Sequence, residues 1–231
     1  MRIHGLQKLT LLDFPEHTAC TVFTGGCNFR CPFCQNASLV LRPEALPLLP
    51  EEEFFAFLEK RRGLLDGVAV TGGEPTLQPD LPEFLGKIRT LGFAVKLDTN
   101  GALPRVLERL LEAGLVDYAA MDIKSSPEGY ERCAGVGGDT LERVRESVRL
   151  LEDSGIPHEF RTTAVKPLHT PADFEAIGRW LRGTERYFLQ SYADSGDILQ
   201  PGMSAFSREE LEGLLGILRT CIPAAALRGV D

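Results

Sequence analysis

The sequence predicts an α/β fold, specifically a partial (β/α)6 TIM-like barrel, on three observations. Apolar and β-branched runs of strand length alternate with stretches of helical periodicity, the pattern of βα units around a parallel sheet. The connections are short, and nothing marks the reversal of strand order that a doubly wound sheet needs. Polar and sulfur-bearing residues collect where the predicted strands end, and parallel strands bring those ends to one rim.

The first predicted strand, ACTVFT, ends at Thr24 and runs into two glycines and a cysteine-rich stretch. EEEFFAFLEKR, from Glu51, has helical apolar spacing, and its glutamates suit a first turn, where the helix dipole favours anions. GVAVT, ending at Thr71, is the second strand. LPEFLGKIRTLG from Leu81 is a helix stopped at Gly92, followed by a third strand, FAVKLD, ending at Asp98. LPRVLERLLEAG from Leu103 is a helix stopped at Gly114, and VDYAAMD, ending at Asp122, is the fourth strand. GVGGDT from Gly135 matches no phosphate-cradling pattern and reads as a loop. The helix LERVRESVRLLEDSG from Leu141, stopped at Gly155, leads to a fifth strand, HEFRTTAV, ending at Val165. Thr170 with Pro171 and Asp173 forms a helix N-cap with proline in the first turn, and RYFLQSY, ending at Tyr192, is the sixth strand. Residues 1–231 read as a single domain with its core over about 18–195; residues 196–231 supply a loop, a helix from about Ser207 and a C-terminal strip.

Bulk properties narrow the function classes. The chain of 231 residues is 43% hydrophobic and 25% charged, ordinary for a globular protein and unlike a disordered or fibrous one. A formal charge of −8, with no lysine or arginine run, argues against nucleic acid as a partner. The N-terminus carries Asp13 and Glu16, and no apolar run has the length of a signal peptide or a membrane span, so a cytoplasmic location is expected. In that reducing compartment clustered cysteines point to metal or redox chemistry rather than to disulfides.

The clustered cysteines are Cys27, Cys31 and Cys34 in TGGCNFRCPFCQNA, whereas Cys20, Cys133 and Cys221 are scattered and read as core or surface residues. The C-x3-C-x2-C spacing lets one loop wrap three thiolates around a cubane and leaves one iron free for a substrate or cofactor atom. A four-cysteine cluster or a structural zinc needs a fourth ligand, and no histidine, His17 included, has a spacing that recommends it. A thioredoxin-type dithiol in CPFC leaves Cys27 unexplained, and a chance cluster of core cysteines is the remaining alternative. The other predicted strand ends carry GGEP, DTNG, DIK, RTT and QSY. Gly25 and Gly26 allow a tight turn beside the cysteines; Gly72 and Gly73 allow close backbone approach to a ligand, and Glu74 places an acceptor for an ammonium group. Asp98 and Asp122 on adjacent strand ends repel each other unless a cation or Lys124 stands between them. Arg161 interrupts the fifth strand with a group suited to carboxylate or ribose.

The cysteine triplet, with an aromatic before its last cysteine and GGEP at the next strand end, resembles the radical S-adenosylmethionine superfamily from Thr21 to about Tyr192. The resemblance implies a radical SAM barrel with a [4Fe-4S] cluster on Cys27, Cys31 and Cys34. Its unique iron would be chelated by S-adenosyl-L-methionine, whose reductive cleavage would release a 5′-deoxyadenosyl radical. It further implies that Glu74, with Gly72 and Gly73, receives the methionyl ammonium and that Phe33 packs near the adenine. LDTNG followed by D-x-K is similar to the activating enzymes of glycyl radical enzymes. That similarity implies that Asp98, Thr99, Asn100 and Asp122 help hold the cofactor, with a monovalent cation near Asp98 and Asp122 and with Lys124 close by. Those activators carry a histidine just after the tyrosine of their sixth strand; Ala193 stands here after Tyr192, which leaves Gln190, Tyr192 and the loop residue His169 without assigned roles.

The N-terminal run from Gly5 to Val40, with its LLDFP entry and TVFTGGCNFRCPFC core, is most similar to the activating proteins of anaerobic ribonucleoside-triphosphate reductase. Gln35 stands where many of those proteins have histidine, a change beside the cluster that bears on its potential. The similarity implies abstraction of a glycine Cα hydrogen on a partner reductase, with flavodoxin or ferredoxin as electron donor. Two other readings stand beside it: a radical enzyme acting directly on a small molecule or peptide, and a non-catalytic metal or thiol-redox module.

Overall fold

The computed structural model describes residues 1–230. The chain forms an eight-stranded sheet in sequence order. Its strands are β1 (Ile3–Thr10), β2 (Ala19–Thr24), β3 (Gly67–Gly72), β4 (Ala94–Thr99), β5 (Tyr118–Asp122), β6 (His158–Ala164), β7 (Tyr187–Ser191) and β8 (Ala226–Arg228). β1 is antiparallel to β2, and every later neighbour is parallel. Among the described residues no ladder joins β8 to β1, so the barrel is partial. The helices are α1 (Ala37–Leu41), α2 (Glu51–Glu59), α3 (Leu81–Thr90), α4 (Pro104–Glu112), α5 (Tyr130–Ala134), α6 (Thr140–Asp153), α7 (Pro171–Trp180) and α8 (Arg208–Arg219). No described helix is long and apolar enough to cross a membrane.

The six predicted strands are β2 to β7, each ending within one residue of its expected end. The expected helix stops also hold: Gly92, Gly114 and Gly155 take left-handed φ values of +89°, +61° and +72°. Thr170 with Asp173, and Ser207 with Glu210, form complete capping boxes. Two strands are corrections to the six-strand expectation. β1 buries only Ile3 and Thr10, so it shows no alternation, and β8 is three residues long, too short for any pattern.

Side chains alternate across each parallel strand. One set, including Cys20, Val22, Val68, Val70, Val95, Leu97, Met121, Phe160 and Leu189, packs into the apolar core. The other set is largely polar and includes Thr71, Lys96, Asp98, Asp122, Glu159, Arg161, Thr163 and Gln190. Most of the latter meet at the cavity described below.

The far end of the barrel is stopped. The β1–β2 hairpin carries LLDFP, and its Phe14 is 1% exposed, packed with Ala19 and Tyr118. The ring stacks on His17 at 4.0 Å and tilts against Tyr118 at 6.0 Å. A Cβ on Gly67 would lie 2.7 Å from the Phe14 ring, so the glycine makes room for the plug. Behind it the buried Glu159 carboxylate accepts hydrogen bonds from Tyr118 Oη at 2.8 Å and from Arg228 of β8 at 2.6 and 3.0 Å. Arg228 in turn lies 3.6 Å over the Phe188 ring.

Phe14→Ala is expected to lower the unfolding free energy by about 3–5 kcal/mol, as a large buried side chain does when truncated. Leu12→Ala, at a residue 85% exposed on the same hairpin, should fall within about 0.5 kcal/mol of wild type in the same denaturant titration.

Candidate active site

The strand ends and the loop after β2 enclose a cavity of about 250 Å³. Cys27, Cys31, Cys34 and Phe33 line it from the loop, Gly72 and Gly73 from β3, Asp98, Thr99 and Asn100 from β4, Asp122 and Lys124 from β5, and Arg161 from β6. Apart from Glu74, every residue expected at the site is therefore on one wall.

The cysteine loop has no regular structure and is held from two sides. On one, Arg30 N–H donates to the Ala134 carbonyl at 2.8 Å, beside Gly135, whose φ is +67° and whose missing Cβ would overlap the Arg30 carbonyl. The segment read as a bare loop at Gly135 thus begins with a contact that the cysteine loop requires. On the other side, Leu199 N–H donates to the Cys34 carbonyl at 3.1 Å and Gln200 N–H to the Pro32 carbonyl at 2.9 Å. Gln35, singled out for its place after the last cysteine, donates through its side chain to the Ala193 carbonyl. Asp197 accepts from the Ser38 backbone and hydroxyl. The loop is also pinned to β3: Gly73 N–H donates to Thr24 O and Glu74 N–H to Gly26 O, both at 2.8 Å. A Cβ on Gly73 would overlap the Gly26 carbonyl, and one on Gly72, at φ +120°, would overlap the Thr24 backbone. The close approach that these glycines permit is therefore of backbone to backbone, where the sequence had pointed to a ligand.

Glu74 is not among the residues that line the cavity. It is 1% exposed and lies behind the cavity wall, where Oε1 accepts from Thr76 N–H at 3.1 Å and from the Thr76 and Thr99 hydroxyls, the latter at 2.8 Å. Oε2 accepts from Asn100 N–H at 2.7 Å. Burial pushes its carboxyl up from the usual range, against these bonds. The carboxylate staples the ends of β3 and β4 together.

Charge in the cavity follows one line. Lys96, 1% exposed, pairs with Asp98; Arg161 reaches Asp98 at 3.2 Å and Asp122 at 2.8 Å; Lys124 pairs with Asp122 at 2.9 Å. Burial alone would raise both carboxyls, but Arg161 with Lys96 holds Asp98 low and Arg161 with Lys124 holds Asp122 low. The counter-charge expected between the two acids thus comes from the chain. Lys96 escaped the sequence reading, although a lysine two residues before Asp98 in an apolar strand must share its face.

His169 does not line the cavity. Its Nδ1 accepts from Val165 N–H at 3.1 Å, so Nε2 carries the proton and donates to the Lys124 carbonyl at 2.9 Å. Its ring meets Phe33 edge-on at 6.2 Å, so it supports two cavity residues from behind. Gln190 lines the cavity beside Thr163, its partner in register, whereas the Tyr192 hydroxyl is buried elsewhere without a partner among the described residues.

The donor set fits a thiolate-held cluster. Desolvation pushes the Cys31 thiol up to about 12 and raises Cys27 as well, so both wait for a cation to draw off their protons. Among the described residues no three histidine, cysteine, aspartate or glutamate side chains are grouped about one point. A cubane presents a separate iron to each thiolate and needs no such convergence.

The family model for the radical SAM superfamily matches residues 21–181. The chain belongs to the radical SAM superfamily. A protein from Methanocaldococcus jannaschii, provisionally named a glycyl-radical enzyme activating enzyme, is 30% identical over 194 residues, 82% of this chain and 79% of that one. A probable GTP 3′,8-cyclase from Thermococcus kodakarensis is 33% identical over 153 residues, 63% of this chain but 47% of its own. Among solved structures, SuiB from Streptococcus suis superimposes with a TM-score of 0.72 at 15% identity, covering 91% of this chain and 49% of SuiB. The chain thus spans most of the first relative and about half of the other two.

Arg161→Ala leaves two partly buried carboxylates, each with a single lysine partner, and is expected to cost about 1–3 kcal/mol in urea unfolding at neutral pH. Because Asp98 and Asp122 lie below their ordinary value of 3.8, the wild-type pairing is fully present above about pH 4 and is lost as pH falls through the lowered values. The penalty of Arg161→Ala should accordingly shrink in acid. Gly73→Ala should destabilise by about 1–3 kcal/mol through overlap with Gly26.

Proposed function

We propose that Cys27, Cys31 and Cys34 hold a [4Fe-4S] cluster and that the enzyme generates a glycyl radical on a partner polypeptide, an anaerobic ribonucleotide reductase. The observation that carries the reading is the meeting, in one cavity, of three cysteines on one loop with the Asp98, Asp122, Lys124 and Arg161 line. The relative at 30% identity over 82% of the chain supports the activating subtype.

With S-adenosylmethionine bound, the cluster would supply one-electron cleavage of the sulfonium to a 5′-deoxyadenosyl radical. The chain's own part is positioning and exclusion. Lys124 and Arg161 present cationic donors that a carboxylate or ribose would accept, with Asp98 and Asp122 fixing their directions. Phe33, 6% exposed and braced by His169, offers a flat apolar face for a base. The plugged floor behind Lys96 and Phe14 keeps bulk water from that end. No additional cation is needed to neutralise the acids. Flavodoxin or ferredoxin would deliver the electron.

A second reading, action on a small molecule or a peptide, draws on the relatives named as a GTP 3′,8-cyclase and a PqqA peptide cyclase, the latter 34% identical over 58% of this chain.

Anaerobic reconstitution should give about four irons per chain. Cys27→Ser, Cys31→Ser or Cys34→Ser should lose the cluster, and Cys20→Ser and Cys133→Ser should retain it. On reduction with S-adenosylmethionine, 5′-deoxyadenosine should form. Mixing with the large anaerobic reductase subunit of the same genome should give a glycyl doublet in electron paramagnetic resonance. 5′-Deoxyadenosine without a doublet would favour the second reading; no cleavage at all would defeat both.

A further inference from the structure

The cavity wall contains one side chain whose bonding reaches the cysteine loop. Asn100 was expected to help hold the cofactor, and both hydrogens of its amide are engaged by the protein. Ala102 N–H donates to its Oδ1 at 2.9 Å, which fixes the amide's orientation, because only the oxygen can accept there. Nδ2 then points the other way. It donates to Asn28 Oδ1 at 2.8 Å and to the sulfur of Cys27 at 3.7 Å. Both Nδ2 hydrogens have an acceptor, and Asn100 is only 5% exposed. Its backbone is held as well, by the Glu74 carboxylate.

Cys27 receives a second donor, the Phe29 backbone N–H at 3.3 Å. Among the described residues, the other two cysteine sulfurs accept no hydrogen bond, and Cys31 Sγ lies 3.7 Å from the Ala134 carbonyl, an acceptor. The three sulfurs are therefore unequally bonded, and among the described residues Cys27 is the one that accepts N–H donors.

We infer that Asn100 is a positioning residue that tunes the cluster through an N–H···S bond to Cys27. The inference rests on the cluster reading of the three cysteines. Its physical basis is simple: reduction adds an electron whose charge spreads onto the sulfurs, so a donor at sulfur stabilises the reduced state and raises the potential. Placing the donor on the strand that also carries Asp98 links cluster and cofactor wall through one rigid element.

Asn100→Asp is the near-isosteric test. It keeps an oxygen for Ala102 N–H and replaces the donating nitrogen with an acceptor. In a redox titration of the reconstituted cluster, without S-adenosylmethionine or substrate and followed by electron paramagnetic resonance, N100D should have a lower potential than wild type. The expected change is at least tenfold in the one-electron reduction constant, equivalent to 59 mV. Asn100→Ala should shift the same way by less. Equal potentials in N100D and wild type, with the cluster assembled in both, would overturn the inference and leave the cluster reading standing. A wild-type chain that never assembles the cluster would overturn both. Should N100D fail to assemble it, asparagine-selective 15N labelling of the reduced wild type decides. A coupling from a side-chain amide in electron–nuclear double resonance supports the bond, and its absence overturns it.

Discussion

The guanidinium of Arg161 lies between the carboxylates of Asp98 and Asp122, and the rim of the barrel depends on it. Three neighbouring strands contribute these groups, so without the arginine two anions on adjacent strand ends would repel within a poorly solvated space. Lys96 and Lys124 extend the row on either side, giving three cations to two anions in a chain whose overall charge is −8. Of these, Asp98, Asp122, Lys124 and Arg161 line the cavity, so its wall carries balanced charge within an acidic protein. Such a row is a weak contributor to net stability, because its members lose hydration when buried, but it fixes geometry, since each acid is held from two sides.

The cysteine loop reaches the same precision differently. It carries no helix or strand, so its shape is set by what grips it: the end of β3 below, the α5 terminus on one flank and residues 193–200 on the other. Glycines at 72, 73 and 135 allow this, each removing a Cβ that would collide with the loop's backbone. Glu74 acts in the same scheme, tying β3 to β4 from behind. The GGE run and Asn100 also hold the protein to itself, through the Gly73, Glu74 and Asn100 bonds.

That division explains what was legible in the sequence. Strands buried on both faces declare themselves as apolar runs with polar residues at their ends, so β2 to β7 and the rim composition could be read directly. The edges could not: β1 shows solvent much of its length, and β8 is held by Arg228 pairing with a carboxylate 69 positions away. The three cysteines were legible because spacing within one loop is local. The bonding state of Glu74, Asn100 and His169 was not, because it depends on which neighbours reach them across the fold. Lys96 occupies the middle ground, since its shared face with Asp98 follows from strand geometry alone.

The hairpin plug at Phe14 has a consequence for traffic. A vessel stoppered at its base fills and empties through the upper part, and the deepest occupant is the first to arrive and the last to leave. Anything resting against the Arg161 row is reached from the rim that carries the cysteines, not from the hairpin end. The hairpin thus decides, from the opposite end of the barrel, which face of the cavity stays accessible.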